Sequence, residues 1–408
     1  LKGGKTMDNY FLDELTIENE TKIVLLVMDG LGGLRIPGKS GTELQEAHTP
    51  NLDQLAKESV CGLLDPIWPG VTPGSGPAHF SLFGYNAFEY NLGRGVLDAA
   101  GIGFKFTDRD VAARINFATI DENGNLVDRR AGRLPTEENQ RLCEKIKKNI
   151  SVPSGIEFFI EPTKEYRSVI ILRGEGLSGQ VADTDPQKIG VPPLDPIALS
   201  PEAERTAAIF KDLLKQIRDI LADEPRGNML LLRGVDKYKH IPSMEKRFKL
   251  RSYAIANYPM YRGVAQMVGM VLHPITPDIP SQFKAFQDTF QRYDYFFIHI
   301  KYTDSRGEDG DFDAKVKVIE EVDQQIPRLV EMNPEVLMVT ADHSTPALLK
   351  SHSWHPVPVL LHASTARVDE VDKFDEISCI RGGLGRQPTL NLMGLALAHA
   401  LRLKKLGA

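Results

Sequence analysis

Lys22-Ile23-Val24-Leu25-Leu26-Val27-Met28-Asp29-Gly30 is the stretch that decides the fold. The run is short, continuous and rich in β-branched side chains, without the polar alternation of a half-solvated strand. It therefore predicts a strand covered on both faces, as inner strands of a parallel sheet are. The run ends on a carboxylate and a glycine, and open α/β sheets place their ligands at the carboxyl ends of their strands. Asp29 is thus a candidate site residue, with Gly30 permitting close approach. A helix-capping aspartate is the alternative. Residues 295–300 repeat the texture and lead into Lys301-Tyr302-Thr303-Asp304, and residues 335–340 lead into Ala341-Asp342-His343-Ser344-Thr345-Pro346. A further strand over 357–361 follows Ser351-His352-Ser353-Trp354-His355-Pro356.

Around Asp108 the texture changes. Residues 110–120 alternate as a strand, Gly124 marks a turn, 136–146 and 201–221 read as helices, and 156–160, 168–172 and 229–232 as strands. Residues 276–280 read as a linker. The expectation is an α/β fold: a doubly wound, mostly parallel sheet from residues 21–107 and 281–408, a smaller α/β domain inserted over 108–280, and an N-terminal extension over 1–20. Within the insertion, Arg114, Arg130, Arg167, Arg173 and Arg233 fall near strand ends or turns. Guanidinium forks bind carboxylate and phosphate in pairs of hydrogen bonds, so this cluster suits a small doubly anionic substrate.

At 408 residues the chain is long enough for two domains, and its formal net charge of −6 argues against nucleic-acid or anionic-membrane surfaces. Its three cysteines, Cys61, Cys143 and Cys379, lack C-x-x-C spacing. That usage predicts neither a disulfide framework nor a zinc-thiolate site and fits a reducing cytoplasm. No apolar run reaches the ~18 residues of a membrane span, and the first residues do not read as a secretory signal. A cytoplasmic enzyme, with homo-oligomerisation open, is expected.

Thr72-Pro73-Gly74-Ser75-Gly76-Pro77-Ala78-His79 is a small-residue loop with one hydroxyl free to project between two glycines, so Ser75 is a nucleophile candidate. A surface turn whose serine bonds its own backbone is the bland alternative. The rest of the chain favours chemistry, because Asp29, Asp304, Asp342, His343 and His352 converge on one sheet edge. Carboxylates and imidazoles from separate strand ends suit a hard-to-intermediate divalent metal, or two adjacent ones. A metal beside Ser75 would lower the hydroxyl's pKa and neutralise charge on a transferring phosphoryl group.

Taken together, Val27-Met28-Asp29-Gly30, Pro73-Gly74-Ser75-Gly76-Pro77-Ala78-His79 with Phe83-Gly84-Tyr85, Gly93-Arg94-Gly95, Asp128-Arg129-Arg130-Ala131-Gly132-Arg133, Asp183-Thr184-Asp185-Pro186, the run from Thr340 to Pro346 and Pro356-Val357-Pro358 carry a resemblance. From about Lys22 onward the chain resembles the cofactor-independent phosphoglycerate mutases of the archaeal type, in the alkaline phosphatase superfamily. The resemblance implies an alkaline-phosphatase-like domain with two divalent metal ions, interrupted by a transferase domain. It implies interconversion of 3-phosphoglycerate and 2-phosphoglycerate through a phosphoserine at Ser75. One metal would be held by Asp29, Ser75, Asp342 and His343, the other by Asp304, the residue four positions on, and His352. The glycerate would be held by Arg114, Arg130, Arg167, Asp185 and Arg233, while Lys301 stabilises phosphoryl charge or protonates the leaving alkoxide.

One position departs from the family pattern. Where the family reads Asp-x-x-x-His-Asp-Gly-Asp, this chain reads Asp304-Ser305-Arg306-Gly307-Glu308-Asp309-Gly310-Asp311. Glu308 can ligate through oxygen, which shifts the expected metal toward Mn²⁺ or Mg²⁺, with Zn²⁺ or Co²⁺ as alternatives. The same substitution keeps a related phosphoryl transferase or phosphatase, homoserine-kinase-like, as an alternative; a catalytically silent metabolite-binding homologue is a third reading, against which intact Ser75, Asp342 and His343 count.

Overall fold

The run read first is a strand, Ile23–Met28, with every residue buried in the interior of an eight-stranded sheet. A computed structural model describes residues 10–90 and 92–407. Among these the strands run, in chain order, β1 (Ile23–Met28), β2 (Val60–Asp65), β3 (Asp110–Ile120), β4 (Leu126–Asp128), β5 (Glu157–Lys164), β6 (Arg167–Arg173), β7 (Met229–Lys237), β8 (Ser252–Ile255), β9 (Val271–Leu272), β10 (Tyr295–Ile300), β11 (Val336–Thr340), β12 (Val357–His362) and β13 (Gly385–Pro388). The chain divides into two units, one of residues up to 91 with Ile241 onward, the other Leu92–His240.

The first unit holds the large sheet, in the order β13-β2-β12-β11-β1-β10-β8-β9. Every neighbouring pair is parallel except the two made by β12. The α/β, mostly parallel architecture therefore stands, with one reversed strand. In β1, β2, β10 and β11 every residue is buried, as helices on both faces demand.

The second unit is built on an antiparallel sheet in which β3 pairs with β6 along one edge and with β7 along the other. β3 alternates: Val111, Ala113, Ile115 and Phe117 enter a core with Leu142 and Ile146 of the helix Thr136–Asn149 and Phe210, Leu213 and Ile217 of the helix Glu204–Ile220. The period of two sends Arg114 and Asn116 to the opposite face.

The boundaries differ from those drawn on the sequence. Residues 92–107, with the helix Arg94–Gly101, belong to the second unit, where a Cβ at Gly95 would fall 2.5 Å from Ala112 O of β3. Residues 241–280 belong to the first, because β8 pairs in parallel with β10 at Ile298↔Ile255. β8 has only four residues, too short for a hydrophobic run to announce it. The 276–280 stretch is the turn into the helix Ile279–Thr289, capped by Asp278, not a linker between domains. Residues 1–9 of the expected N-terminal extension lie outside the described residues. The remainder is packed structure: the helix Tyr10–Leu15 buries Leu12, Asp13 pairs with Arg247 at 3.1 Å, and Thr16 bridges Leu403.

Candidate active site

The register of three strands assembles the site. β1 lies between β11 and β10 with Val27 opposite Thr340 and Met28 opposite Ile300, so the chain leaves all three strands at the same level. Asp29, then Lys301 with Asp304, and then Asp342 with His343 come off that edge together. The approach is close enough to require glycine. Gly30 has φ +65°, and a Cβ there would lie 2.9 Å from Asp304 Cβ and 2.7 Å from Thr345 Oγ1. Ser75 is not in a loop, as its sequence suggested, but opens the helix Ser75–Leu82 with Gly74 as N-cap. The first-turn N–H groups of a helix lack intrahelical partners, and its dipole favours negative charge there. A serine at this position suits a phosphorylated oxygen.

Two trios bring possible ligand atoms within 4.8 Å of one another: Asp29 with Asp342 and His343, and Asp304 with His343 and His352. Ser75 Oγ lies 3.2 Å from His343 Nε2. The imidazole protons can be assigned from the network. Thr345 Oγ1 donates its one proton to Asp304 Oδ1 at 2.6 Å, so at its 3.0 Å contact with His343 Nδ1 it must accept. His343 Nε2 is then the lone pair aimed at the Ser75 and Asp29 side. His352 Nδ1 likewise donates to Pro73 O at 3.0 Å, freeing Nε2 toward Asp304 Oδ1 at 3.6 Å. Ligating histidines characteristically donate their other nitrogen in this manner.

The charge balance points the same way. Asp29, Asp304 and Asp342 are buried carboxylates, and the ammonium of Lys301, which reaches Asp29 Oδ2 at 3.1 Å and contacts Asp304, is the cation facing them. Both Asp29 oxygens and Asp342 Oδ2 are buried without a hydrogen bond. Carboxylates in that condition are strongly unfavourable unless a cation compensates them, so the donor set fits divalent metal. Burial acts against the Asp29 charge but is outweighed by the facing Lys301 ammonium and, beside it, His299, which hold its carboxyl well below the usual range. Asp342 is pushed well above that range by burial and by the Asp29 and Asp304 charges. Burial keeps His343 neutral, and Lys301 stays charged despite burial because Asp29 faces it.

Of the remaining metal candidates, Glu308 stands outside both trios. It lies one turn beyond Asp304 on the helix Tyr302–Asp309, with its side chain exposed. Partial desolvation and the Asp304 charge raise its carboxyl pKa.

In the second unit, β3 aligns Arg114 with Arg233 of β7 and Asn116 with Arg167 of β6, and residues paired across antiparallel strands share a face. Three of the expected arginines thus occupy one face, against the buried Asp98, whose Oδ2 is 3.3 Å from Arg114 Nε. Asp185 is held by Arg129 through two 2.8 Å hydrogen bonds, with Arg233 3.9 Å away. Arg130 sits in an exposed turn. Arg173 is tied to buried Asp110 at 2.7 and 2.8 Å and is a structural residue.

Sequence reasoning passed over several groups. His79 is fully buried, donates Nδ1–H to Ser75 O at 2.8 Å, and has its pKa lowered to about 3 by burial. His299 brings Nε2 to 3.3 Å from Asp29 Oδ2, and Tyr261 stacks on it at 3.8 Å. Lys315 is buried and donates to Gly30 O, Gly32 O and Thr345 O, joining the loops that carry Asp29 and His343. His299 and His79 stood beside residues already singled out, and that adjacency was the available signal. Tyr261 lay inside the segment assigned to the other domain.

A family model described as 2,3-bisphosphoglycerate-independent phosphoglycerate mutase matches residues 56–226. A protein of Thermus thermophilus named as a probable 2,3-bisphosphoglycerate-independent phosphoglycerate mutase is 50% identical over 400 residues, covering 97% of this chain and 98% of that one. Among solved structures, a Pyrococcus horikoshii protein superposes with a TM-score of 0.84 at 27% identity, over 96% of this chain and all of the other. The cofactor-independent phosphoglycerate mutase of Thermoplasma acidophilum gives 0.69 at 28% identity, over 93% of this chain and all of the other.

Proposed function

The chain belongs to the family of 2,3-bisphosphoglycerate-independent phosphoglycerate mutases, and we propose that it interconverts 3-phosphoglycerate and 2-phosphoglycerate through a phosphoserine at Ser75. The observation that carries this reading is Ser75 at a helix N-terminus with its Oγ 3.2 Å from His343 Nε2, beside three buried carboxylates. Asp29, Ser75, Asp342 and His343 would hold one divalent cation, and Asp304 and His352, with Glu308 reaching in, the other. When bound, the cations lower the hydroxyl's pKa and offset phosphoryl charge. The oxygen-rich donor set favours Mn²⁺ or Mg²⁺.

Ser75 Oγ gives its proton to solvent and bonds to phosphorus as the bond to the glycerate oxygen breaks, and that oxygen takes a proton, for which the Lys301 ammonium is the resident donor. In the second half the other glycerate hydroxyl attacks, the Oγ–phosphorus bond breaks, and both proton changes reverse. Between the halves the glycerate must be retained, because its escape would leave a hydrolysable phosphoserine and make the enzyme a phosphatase. Arg114, Arg167 and Arg233, with Arg130 and the Arg129–Asp185 pair, are the groups assigned to grip its carboxylate and hydroxyls.

The test is an enolase-coupled assay on 3-phosphoglycerate without added bisphosphoglycerate, with acid-quenched protein mapped for phosphate. Turnover with phosphate on the Ser75 peptide is expected. A requirement for 2,3-bisphosphoglycerate, or phosphate found only elsewhere, would refute the mechanism.

A further inference from the structure

We propose that Tyr261 is a further catalytic residue, whose phenolic O–H steadies the Ser75 oxygen while Lys301 charges that hydrogen bond. The inference rests on the reading of Ser75 as the nucleophile. Tyr261 belongs to the helix Pro259–Met267, which follows β8 off the same sheet edge. Its side chain is 1% exposed, stacked on His299 at 3.8 Å with 28° between the rings, and 5.0 Å from the ring of His79. The ring is fixed, and so therefore is the hydroxyl. Lys301 Nζ donates to Tyr261 OH at 3.0 Å, and Tyr261 OH donates to Ser75 Oγ at 3.4 Å.

The direction of this chain follows from what each group can do. An ammonium only donates, so the phenolic oxygen accepts from Lys301, and its single proton is left for Ser75. The serine's own proton has His343 Nε2, 3.2 Å away, as its acceptor, and with a cation on that nitrogen Ser75 would be ionised and could only accept. Hydrogen bonds in series polarise one another, and one fed by a cation is stronger than a neutral pair. Packing does not need the hydroxyl, since a phenylalanine ring would stack equally well. Its place between the nucleophile and the ammonium in contact with Asp29 and Asp304 is a chemical arrangement. The 3.4 Å separation is of the length that catalytic hydrogen bonds show before ligand draws them in.

The consequence falls on both half-reactions. Whenever the Oγ–phosphorus bond is partly broken, negative charge sits on Oγ, and a donor aimed at that atom lowers the barrier. No proton need cross from Tyr261, so the phenol ends each turnover as it began.

Tyr261→Phe, assayed in both directions, tests this. The expected result is a ~10- to 100-fold fall in kcat, KM for 3-phosphoglycerate within about twofold of wild type, and phosphoserine still forming at Ser75. In a Lys301→Met background, adding Tyr261→Phe should cost under ~3-fold, because the bond is no longer charged. Unchanged kcat, a loss appearing only in KM, or the same cost in both backgrounds would overturn the proposal. Tyr261→Leu separates hydroxyl from ring: its melting temperature should fall while its kcat, measured well below the melt, matches that of Tyr261→Phe. A much lower kcat for the leucine variant with Tyr261→Phe near wild type would mean that Tyr261 acts by packing alone. A wild-type enzyme with no phosphoserine at Ser75 would instead remove the underlying mechanism, whatever Tyr261 does.

Discussion

At the carboxyl edge of the parallel sheet, the carboxylates of Asp29, Asp304 and Asp342 crowd the single ammonium of Lys301. On the antiparallel sheet of the second unit, Arg114, Arg167 and Arg233 share a face, Arg114 against the buried Asp98 and Arg233 3.9 Å from Asp183 and Asp185. The first arrangement has too much negative charge and asks for cations. The second gathers guanidinium forks on one face, a donor set suited to an anion. The construction differs as well. The acidic site is made of residues just beyond strand ends, fixed by where three strands stop. The basic site is made of residues within strands, fixed by cross-strand register. On the mechanism proposed above, the first would activate phosphoryl transfer and the second keep the glycerate, so substitutions in the two should fail in different ways.

The largest effect is expected at the acidic site. Ser75→Ala should reduce kcat by at least ~10³-fold, since no other hydroxyl occupies the nucleophile's place. Gly74 and the helix it caps do not depend on the hydroxyl, so the thermal midpoint should stay close to that of wild type. A coupled assay and a melt on the same preparation check this. An alanine variant retaining a substantial share of the rate would mean that Ser75 is not the nucleophile.

The next effect belongs to the basic site and should appear in a different constant. Arg114→Met removes a guanidinium from the face it shares with Arg233, and a charge-assisted hydrogen bond is worth about 1.5–3 kcal/mol. KM for 3-phosphoglycerate should rise ~10- to 100-fold on that basis, with phosphatase leakage rising as the glycerate is less firmly retained. Steady-state kinetics with phosphate release followed in parallel would show it. A fall in kcat with KM unchanged would place Arg114 in the chemistry and not in the grip.

The two sites were unequally legible, for the reason that separates them. Asp29, Asp304, Asp342 and His343 each follow a wholly buried strand, and a continuous apolar run ending in a carboxylate is visible in one dimension. Arg114, Arg167 and Arg233 were named as a cluster because arginine forks suit anions. Which of them share a face depends on the β3–β6 and β3–β7 registers, which no one-dimensional pattern shows, and Arg173 is committed to Asp110. Tyr261 was missed through the position of a boundary. β8 is four residues long, so the segment that carries Tyr261 back to the large sheet looked like more of the insertion. His299 was hidden differently: as a polar residue inside the buried run of β10 it reads as core until its 3.3 Å approach to Asp29 is seen.

Glu308 should give a smaller and more selective response. Its carboxylate is one turn from Asp304 and exposed, so it can swing toward His352 without rearranging the strand ends. Glu308→His exchanges a hard oxygen donor for an imidazole, and the preference for Mn²⁺ over Zn²⁺ should move toward Zn²⁺ by about tenfold. Titration calorimetry with each ion on both proteins is the measurement. Equal affinities and equal preference would mean that the second cation is held without residue 308, and the acidic site would then consist of strand-end residues and His352 alone.

The smallest effect tests whether charge in the second unit divides into satisfied and unsatisfied groups. Glu224 accepts from Arg141 Nη1 at 3.0 Å and from Lys145 Nζ at 2.7 Å, and these partners, Arg141 first, lower its pKa to about 2 against the opposing effect of burial. A carboxyl whose folded pKa lies below its unfolded value of ~4.3 adds stability above that value and loses it as the pH falls toward 2. Both cationic partners are substantially exposed, so solvent limits the contribution to roughly 1 kcal/mol or less. Glu224→Gln should therefore lower the melting midpoint slightly at pH 7, and the two curves should converge as the pH falls from about 4 toward 2. KM should not move, because this network is already neutralised and has no charge left to offer a ligand. If KM rose as it does for Arg114→Met, the basic face would extend to the Thr136–Asn149 helix, and the division between structural and substrate-facing charge would have to be redrawn.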